Sequence, residues 1–429
     1  MKLFNIFLSV AFIALFASCK KDDGGSSFPG GAKKLTYIGS PEALSEGRFN
    51  MQVYQTGNYT CFTGGIIYSL PVSTTGSINT DVFNKQSGAW SRYSMSIKRD
   101  YYSAAALNNK LLIAGGNTPN YGYSKVVDVF DLATGLTTIT QLSEPRSYLA
   151  AAAAGNKIVF AGGYLDGNTK VSARVDIYNT QTGQWTIDSL SLARGLLTAA
   201  AVGNKIVFAG GVAINNSNGQ GYNSNRVDIY DVQTGQWTQA TLSQPRSGYN
   251  AIRVITAGNK LLIAGGANTT NTETVDVYDA QTNLWTTINL TGNTLTYLLA
   301  CSNGEQIFLT SGSNYLYTKL HTYNAQNGQM NVVPLPAPIR ISAMAAAGNK
   351  VVIAAGIIDD QITDKIFVYD TQTGLFDTTG FKLPKKKINI TAASAGNKFL
   401  FAGGVIDEEP AGQPRRVENF KTVSVFELK

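Results

Sequence analysis

Arginine recurs in this sequence at a constant distance from pairs of glycines. Four arginines stand sixteen residues before the first glycine of a doublet, at Arg48, Arg99, Arg146 and Arg194. Lys387 keeps this spacing, whereas Arg246 is displaced by three residues and Arg340 by one. A guanidinium group forms charge-assisted hydrogen bonds with carboxylates, each contributing about 1.5–3 kcal/mol. A set of such groups around one opening would favour an anionic or sugar-like ligand.

Tyrosines accompany several of these arginines. Tyr101, Tyr102, Tyr148 and Tyr249 follow an arginine within three residues, and aromatic rings can form the walls of a sugar-binding site. A residue that returns in most copies of a repeat can also tie neighbouring units together, so a structural role for each arginine stays open. The candidate ligand-binding residues are Arg48, Arg99, Arg146, Arg194, Arg246, Arg340, Tyr102, Tyr148 and Tyr249.

The remaining residues argue against most kinds of catalysis. The chain contains one histidine, His321, which gives little support to a histidine-based metal site or a Ser-His-Asp triad. The acidic pairs at 359–360 and 408–409 are adjacent in sequence and lack the fixed separation that paired-carboxylate catalysis requires. Neither a phosphate-binding loop nor a dinucleotide-binding fingerprint occurs in the sequence. We therefore predict no catalytic residue, no metal site and no cofactor.

The glycine doublets belong to an internal repeat. Its core is the run Gly155-Asn156-Lys157-Ile158-Val159-Phe160-Ala161-Gly162-Gly163. The second glycine of each copy falls at 65, 116, 163, 211, 266, 312, 356 and 404, so the period is 44–55 residues. After the doublet an alternating strand ends in an aromatic residue, and tryptophan follows seven residues later in Phe83/Trp90, Tyr178/Trp185, Tyr230/Trp237 and Tyr278/Trp285. This pattern predicts a four-stranded unit that contains a glycine-turned hairpin.

The glycine doublet, the aromatic residue and the tryptophan together resemble the kelch repeat, over about residues 34–429. That resemblance implies a β-propeller whose blades have four strands, a to d, with strand a innermost. We therefore predict an all-β fold, a single kelch-type propeller of eight four-stranded blades, with seven blades as the alternative. Residues 423–426 match strand c of the last blade, and residues 34–38 are expected to supply its missing strand d. Such closure would leave no open sheet edge.

Loop lengths single out one face of this propeller. The a–b and c–d turns are short and repetitive, whereas the b–c segment varies from 11 to 22 residues between the second glycine and the strand c aromatic. Loops that vary are free to contribute to function. The kelch resemblance implies that the b–c and d–a loops share one face, where the arginines would ring the mouth of the central channel. We predict that a ligand binds on this face, with Tyr164, Asn215 and Tyr222 as further loop candidates.

The N-terminus predicts export. Lys2 precedes an apolar stretch over residues 3–17, which is typical of a secretory signal and too short for a membrane span. The run Phe16-Ala17-Ser18-Cys19 resembles the lipobox of bacterial lipoproteins. This implies a signal peptide over 1–18 and acylation of Cys19, which would hold the protein to a membrane. An ordinary secretory signal is the alternative.

A polar tether is expected over residues 19–33, before the propeller at 34–429. Its Lys-Asp-Asp run resembles the export tag of surface lipoproteins, which implies an outer-membrane protein that faces outward; a periplasm-facing linker is the alternative. The net charge of +7 is spread along the chain, so nucleic acid is not an expected partner. Cys61 and Cys301 are expected to be buried and unpaired, in blades that do not touch.

These observations predict a monomeric, non-catalytic binding module at the bacterial cell envelope. The expected ligand is a glycan or glycoprotein, bound on the b–c/d–a loop face. A protein–protein interaction scaffold is one alternative. Some kelch propellers of bacterial envelopes are sialic acid mutarotases, so the resemblance also keeps open a metal-free, sugar-acid mutarotase-like enzyme.

Overall fold

The computed structural model describes residues 34–69, 73–119, 122–167, 169–215, 217–248, 252–266, 273–290, 298–313, 316–340, 343–377, 380–408 and 415–429. The predicted signal peptide, Cys19, the tether and Tyr249 lie outside these residues. Every named element in the described part is a β-strand. No helix there is long and apolar enough to cross a membrane.

Eight four-stranded antiparallel sheets form the fold, each with strands a to d in that spatial order. Blade 1 contains β2 (Gln52–Thr56), β3 (Tyr59–Thr63), β6 (Asn79–Asn84) and β7 (Trp90–Ser94), with a loop hairpin β4 (Ile66–Ser69) and β5 (Ser73–Gly76). Blade 2 contains β8 (Ser103–Leu107), β9 (Lys110–Ala114), β10 (Val126–Asp131) and β11 (Thr137–Gln141). Blade 3 contains β12 (Ala150–Ala154), β13 (Lys157–Ala161), β14 (Arg174–Asn179) and β15 (Trp185–Ser189). Blade 4 contains β16 (Thr198–Val202), β17 (Lys205–Ala209), β19 (Gly221–Asp231) and β20 (Trp237–Arg246), and the short β18 (Val212–Ile214) pairs with β19.

The second half of the chain repeats this arrangement. Blade 5 contains β21 (Arg253–Ala257), β22 (Lys260–Ala264), β23 (Thr274–Asp279) and β24 (Leu284–Asn289). Blade 6 contains β25 (Ala300–Ser302), β26 (Gln306–Ser313), β27 (Leu316–Asn324) and β28 (Met330–Ile339). Blade 7 contains β29 (Ala343–Ala347), β30 (Lys350–Ala354), β33 (Ile366–Asp370) and β34 (Leu375–Asp377), with a loop hairpin β31 (Ile357–Ile358) and β32 (Gln361–Ile362). Blade 8 contains β35 (Thr391–Ala395), β36 (Lys398–Ala402), β39 (Val423–Leu428) and β1 (Leu35–Gly39), with a loop hairpin β37 (Val405–Glu408) and β38 (Arg416–Asn419).

Strand b of blade 3, β13, is apolar after its first residue, Lys157, because both of its faces are covered by neighbouring blades. In β13, Ile158 packs into the cluster shared with blade 2, and Val159 packs into the cluster shared with blade 4. The predicted aromatic–tryptophan hairpin is confirmed, since Tyr178 lies directly opposite Trp185 with ring centroids 5.1 Å apart. The hydrophobic core is thus a ring of inter-blade layers rather than one central cluster.

The glycine doublet lets neighbouring blades approach closely. Gly162 and Gly163 have φ angles of 66° and 109°, which side-chain-bearing residues rarely adopt. A Cβ on Gly162 would lie 2.5 Å from the carbonyl oxygen of Arg194 in the next blade, and one on Gly163 would lie 2.7 Å from the Ser147 carbonyl. Both positions therefore need glycine for two reasons: the backbone adopts positive φ, and neighbouring carbonyl oxygens leave no room for a Cβ atom.

The predicted closure of the ring is confirmed. Strand β1 pairs with β39, with Leu35 opposite Leu428, and so completes blade 8. The amide of Gly404 in blade 8 donates to the carbonyl of Arg48 in blade 1 at 3.0 Å. Eight blades are present, so the seven-bladed alternative is wrong.

Candidate ligand-binding face

Five of the six candidate arginines lie inside the propeller. Arg48, Arg99, Arg146, Arg194 and Arg246 are at most 2 % exposed. Each guanidinium pairs with an aspartate of strand c in its own blade, which is also at most 2 % exposed. The pairs are Arg48–Asp81 at 2.7 Å, Arg99–Asp128 at 2.5 Å, Arg146–Asp176, Arg194–Asp228 at 2.7 Å and Arg246–Asp276 at 3.0 Å. The expectation that these arginines ring an open channel mouth is wrong, because their side chains turn inward to the aspartates.

Each arginine–aspartate pair connects three segments of backbone. In blade 4, Arg194 also donates to the Phe208 carbonyl of strand b, at 3.3 Å. The second oxygen of Asp228 accepts from the Ser191 amide, at 3.1 Å, in the chain that arrives from blade 3. Burial lowers the pKa of Arg194, while the facing Asp228 raises it. This arrangement supports the structural alternative for the repeated arginines.

Blades 6, 7 and 8 lack the aspartate of this pair. Their strand c positions hold His321, Phe367 and Ser424 where the other blades have aspartate. His321 is fully buried, its Nε2 lies 2.7 Å from Ser311 Oγ, and burial, reinforced by Lys319, lowers its pKa to about 4. In blade 8, Lys387 is 1 % exposed, and burial lowers its pKa to about 8.

Arg340 of blade 7 is the one candidate arginine with an accessible side chain. That side chain is 40 % exposed and pairs with Asp360 at 3.0 Å. Because Asp360 is itself 84 % exposed, solvent screens the pair and it contributes little to stability.

A second set of residues marks the channel mouth, two positions after each arginine or lysine of the repeat. Asn50, Tyr101, Tyr148, Leu196 and Asn389 all have φ between 52° and 55°. Inter-blade hydrogen bonds connect equivalent residues. The amide of Tyr148 donates to the Tyr101 carbonyl at 3.0 Å, that of Leu196 to Tyr148 at 3.0 Å, that of Gly248 to Leu196 at 2.8 Å and that of Asn50 to Asn389 at 3.4 Å. We call the set Asn389, Asn50, Tyr101, Tyr148, Leu196 and Gly248 the mouth arc; it spans blades 8, 1, 2, 3, 4 and 5 at the start of the innermost strands.

Two tyrosine rings stack on the mouth arc. The rings of Tyr101 and Tyr148 have centroids 4.4 Å apart and planes inclined by 21°. Tyr101 is 38 % exposed, and Tyr148 is half-buried. Tyr164 is buried beneath, edge-on to Tyr148 at 5.9 Å, and its ring lies so close to Gly195 that a Cβ there would be 2.6 Å from it. The stack therefore has a packed base at Tyr164 and an exposed member, Tyr101.

The other two candidate tyrosines have different positions. The Tyr102 hydroxyl points beneath the blade 1 doublet, where a Cβ on Gly64 would lie 2.0 Å from it. Burial raises the pKa of Tyr102. Tyr249 lies outside the described residues. The stacking partner of Tyr148 is Tyr101, which was not selected as a binding residue from the sequence. Its position two residues after Arg99, the same as that of Tyr148 after Arg146, was the signal in the repeat that could have identified it.

Asparagine amides occupy the adjoining part of the mouth arc. Asn50 and Asn389 are half-buried. Within the described part of the chain, neither side-chain amide forms a hydrogen bond. Each amide offers both donors and an acceptor. The arc thus places amide groups in blades 8 and 1 beside aromatic rings in blades 2 and 3.

The channel beneath the arc is narrow. Two cavities lie along the described inner strands, each about 40 Å³; one is bordered by Ala105, Ala152 and Ala201, and the other by Ala300, Ala345 and Ala393. A small-molecule pocket is typically about 300–1,000 Å³. A ligand of sugar size would therefore bind over the mouth rather than within the channel.

Metal and thiol chemistry have little support in the described residues. There, no group of three or more histidine, cysteine or acidic side chains could hold a metal ion. Cys61 and Cys301 are free and buried, so the expectation that they do not pair is confirmed, and burial raises the pKa of both thiols.

Comparison with known proteins identifies the family. None of the curated proteins matches this chain significantly. A solved structure titled "Structure of YjhT" aligns with a TM-score of 0.45 and 16 % identity, covering 56 % of this chain and 84 % of that chain; a similarity this distant bears on neither ligand nor activity. The sequence profile of the Attractin/LZTR1 β-propeller matches residues 32–276. Because this match covers more than half of the sequence, and because the fold is the predicted kelch-like propeller, the chain belongs to the Attractin/LZTR1 β-propeller family.

Proposed function

We propose that this chain is a non-catalytic binding module anchored at the bacterial cell envelope, which binds a glycan, free or on a glycoprotein, over the mouth arc. The observation that supports this most directly is the stack of Tyr101 and Tyr148, in which Tyr101 is 38 % exposed at the start of an innermost strand. Aromatic rings supply a large, rigid apolar surface beside polar groups, which suits the apolar face of a sugar ring.

The backbone conformation of the two tyrosines also supports a binding role. Tyr101 and Tyr148 have φ angles of 55° and 52°, and the left-handed region costs a residue other than glycine about 1–2 kcal/mol. Such strain persists where the surrounding structure enforces it, often at ligand-binding sites. Here the hydrogen bond from the Tyr148 amide to the Tyr101 carbonyl, at 3.0 Å, holds both residues in place.

Binding rather than turnover is proposed because the five buried arginines of the repeat are already paired with aspartates. The guanidinium groups of Arg99 and Arg146, which flank the stack in sequence, pair with buried aspartates. His321 is buried against Ser311 in blade 6 and is neutral near pH 7 because its pKa is about 4. A sugar-acid enzyme would need accessible groups of this kind.

The entry of the chain into the propeller is compatible with a lipid anchor. Leu35 pairs with Leu428 at the end of β39, which places the start of β1 on the a–b/c–d turn face, opposite the mouth arc. A tether over residues 19–33 from acylated Cys19 would then hold that face toward the membrane and leave the arc accessible. We propose an outer-membrane lipoprotein with the arc directed outward. A Cys19→Ser variant should lose both acyl-chain labelling and membrane fractionation, and retention of both would contradict the anchor.

A glycan array tests the binding function. The full-length chain, purified in detergent, is applied at about 50 mM and about 500 mM salt, since ionic strength weakens binding steered by charge. The expected result is saturable binding to a defined glycan, with an apparent Kd that the Tyr37→Ala variant leaves unchanged. Tyr37 is an exposed tyrosine on the outer strand β1, away from the arc. A blank array from protein with an intact melting transition would contradict the proposal and favour a protein partner.

A further inference from the structure

The two halves of the mouth arc differ in chemistry, and this difference defines a ligand class. Asn389 and Asn50 lie in the adjoining blades 8 and 1, and Tyr101 and Tyr148 follow in blades 2 and 3. The amide of Asn50 donates to the Asn389 carbonyl at 3.4 Å, so the two asparagines are neighbours. Building on the glycan-binding function proposed above, we propose that the arc selects neutral oligosaccharides, with one sugar stacked on the tyrosine pair and the hydroxyls of an adjoining sugar bound by the two asparagines.

The asparagine half suits hydroxyl groups. A carboxamide can accept from one hydroxyl and donate to its neighbour, which matches a pair of adjacent sugar hydroxyls. Asn50 and Asn389 have φ angles of 53° and 55°, and asparagine tolerates this conformation better than most residues. Because a backbone hydrogen bond joins Asn50 to Asn389 and another joins Tyr148 to Tyr101, a ligand would meet two largely preformed halves of the surface.

The charges around these four residues disfavour an acidic sugar. Arg48 and Arg99, two residues before Asn50 and Tyr101, are each at most 2 % exposed and pair with Asp81 and Asp128. In blade 8, the equivalent Lys387 is 1 % exposed. A ligand carboxylate would therefore gain no counter-charge from the repeated cations that precede these positions.

The exposed charges nearest in sequence are of both signs. Asp100 directly precedes Tyr101, and Lys386 lies three residues before Asn389. Burial of a carboxylate without a matching cation is costly, and Asp100 offers an acidic ligand no counter-charge. Neutral sugars avoid this penalty, and their apolar faces match the tyrosine rings.

The test compares neutral and acidic probes on the same protein. Maltohexaose, cellohexaose and N-acetyllactosamine are the neutral probes, and sialyllactose and oligogalacturonate are the acidic ones. Isothermal titration of the full-length chain in detergent is expected to show binding of at least one neutral probe, with a Kd that changes less than about twofold between low and high salt.

Glycine variants locate the site without adding backbone strain, because glycine adopts positive φ freely. Tyr101→Gly and Asn50→Gly are each expected to weaken the neutral probe about tenfold, the effect of losing about 1.4 kcal/mol. Tyr37→Ala serves as the matched control and should bind as the unaltered protein does. A melting curve for each variant shows whether the ring remains folded.

The outcomes separate this inference from the function on which it rests. Binding restricted to the acidic probes, and weakened by salt, would overturn the neutral-sugar inference while glycan binding stood. Neutral binding that both glycine variants preserved would overturn the assignment to the mouth arc, again leaving glycan binding intact. Failure of every probe on this panel and on the array would contradict the proposed function itself.

Discussion

Breaking one buried arginine–aspartate pair should destabilise the propeller far more than removing the pair as a unit. In blade 4, Arg194 and Asp228 are both at most 2 % exposed and 2.7 Å apart. Replacing Asp228 with leucine leaves a buried guanidinium without its counter-charge. Loss of one partner of a buried pair costs about 3–5 kcal/mol, and Arg194→Leu should cost a similar amount by stranding the carboxylate.

The double variant Arg194→Leu/Asp228→Leu should recover most of this loss. Replacing both charges with apolar groups of similar volume is often close to neutral, because their desolvation penalty disappears as well. The hydrogen bond from the Ser191 amide to Asp228 is lost too, but Ser191 is exposed, so water can replace that acceptor. We therefore expect the double variant within about 2 kcal/mol of the unaltered protein, and a coupling energy of at least about 4 kcal/mol.

Urea unfolding followed by circular dichroism measures these differences, and melting temperatures provide a second ranking. Arg340→Leu is the matched control, because its 3.0 Å pair with Asp360 is solvent-exposed and should contribute about 0.2–1 kcal/mol. Additive losses in the double variant would refute the reasoning, since they would show that neither charge depends on the other. A loss in the control as large as in the single variants would refute it as well.

Three further perturbations test other parts of the structure. Gly162→Ala should lower the melting temperature more than Gly183→Ala, although the two glycines have similar φ angles of 66° and 71°. The new Cβ at 162 would lie 2.5 Å from a carbonyl oxygen, whereas the atom nearest to a Cβ at 183 is 3.9 Å away. Equal losses in melting temperature would contradict the role of close approach. His321 has a pKa of about 4 in the folded protein and about 6.5 in the unfolded chain. The free energy of unfolding should therefore fall as the pH drops from about 6.5 toward 4, and the loss from this histidine should be about 2 kcal/mol at pH 5. Urea unfolding at about pH 7 and pH 5 should therefore show a smaller difference in His321→Phe than in the unaltered protein, and an identical difference would rule out this histidine as the cause. A chain that begins after Gly39 lacks β1 and exposes the edge of β39, so size-exclusion chromatography should show association; a stable monomer would show that the closure is dispensable.

Most of the fold could be predicted because the repeat expresses it eight times. The run from Gly155 to Gly163 contains the turn, strand b and the doublet in local sequence, and each later copy confirms the same assignment. The closing strand could also be predicted, because the last repeat ends after its strand c and has no strand d, and because residues 34–38 precede the first full repeat. Both predictions rest on the alternation of residues within short stretches of chain and on the order of those stretches in the sequence.

The position of the arginines could not be predicted from their spacing. Arg194 and Asp228 are 34 residues apart, and periodicity alone allows the guanidinium to turn either toward the channel or toward strand c. One signal was available, since the aspartate two residues before the strand c aromatic occurs in blades 1–5 and is replaced by His321, Phe367 and Ser424 in blades 6–8. The arginine pattern weakens in these same blades.

The mouth arc was beyond sequence reasoning for a different reason. Tyrosine and leucine do not favour positive φ, so nothing local marks Tyr101, Tyr148 or Leu196 as left-handed. Hydrogen bonds between equivalent residues of adjoining blades enforce that conformation, and they exist only once the ring has closed. The stack of Tyr101 on Tyr148 likewise joins two repeats that are 47 residues apart.

The sequence by itself determined the strands and the order of the ring and favoured eight blades over seven, because these follow from local pattern and its repetition. The resemblance to the kelch repeat added the face on which the variable loops lie. Tertiary structure alone decided which polar residues face solvent. Exposure depends on the atoms that neighbouring blades place around a side chain, and those blades meet through contacts that a linear pattern does not encode. Thus the five arginines, conspicuous in the sequence, became internal connections. Among the inconspicuous residues two positions later, Tyr101 became exposed, Tyr148 and Asn50 stayed half-buried, and Leu196 was buried.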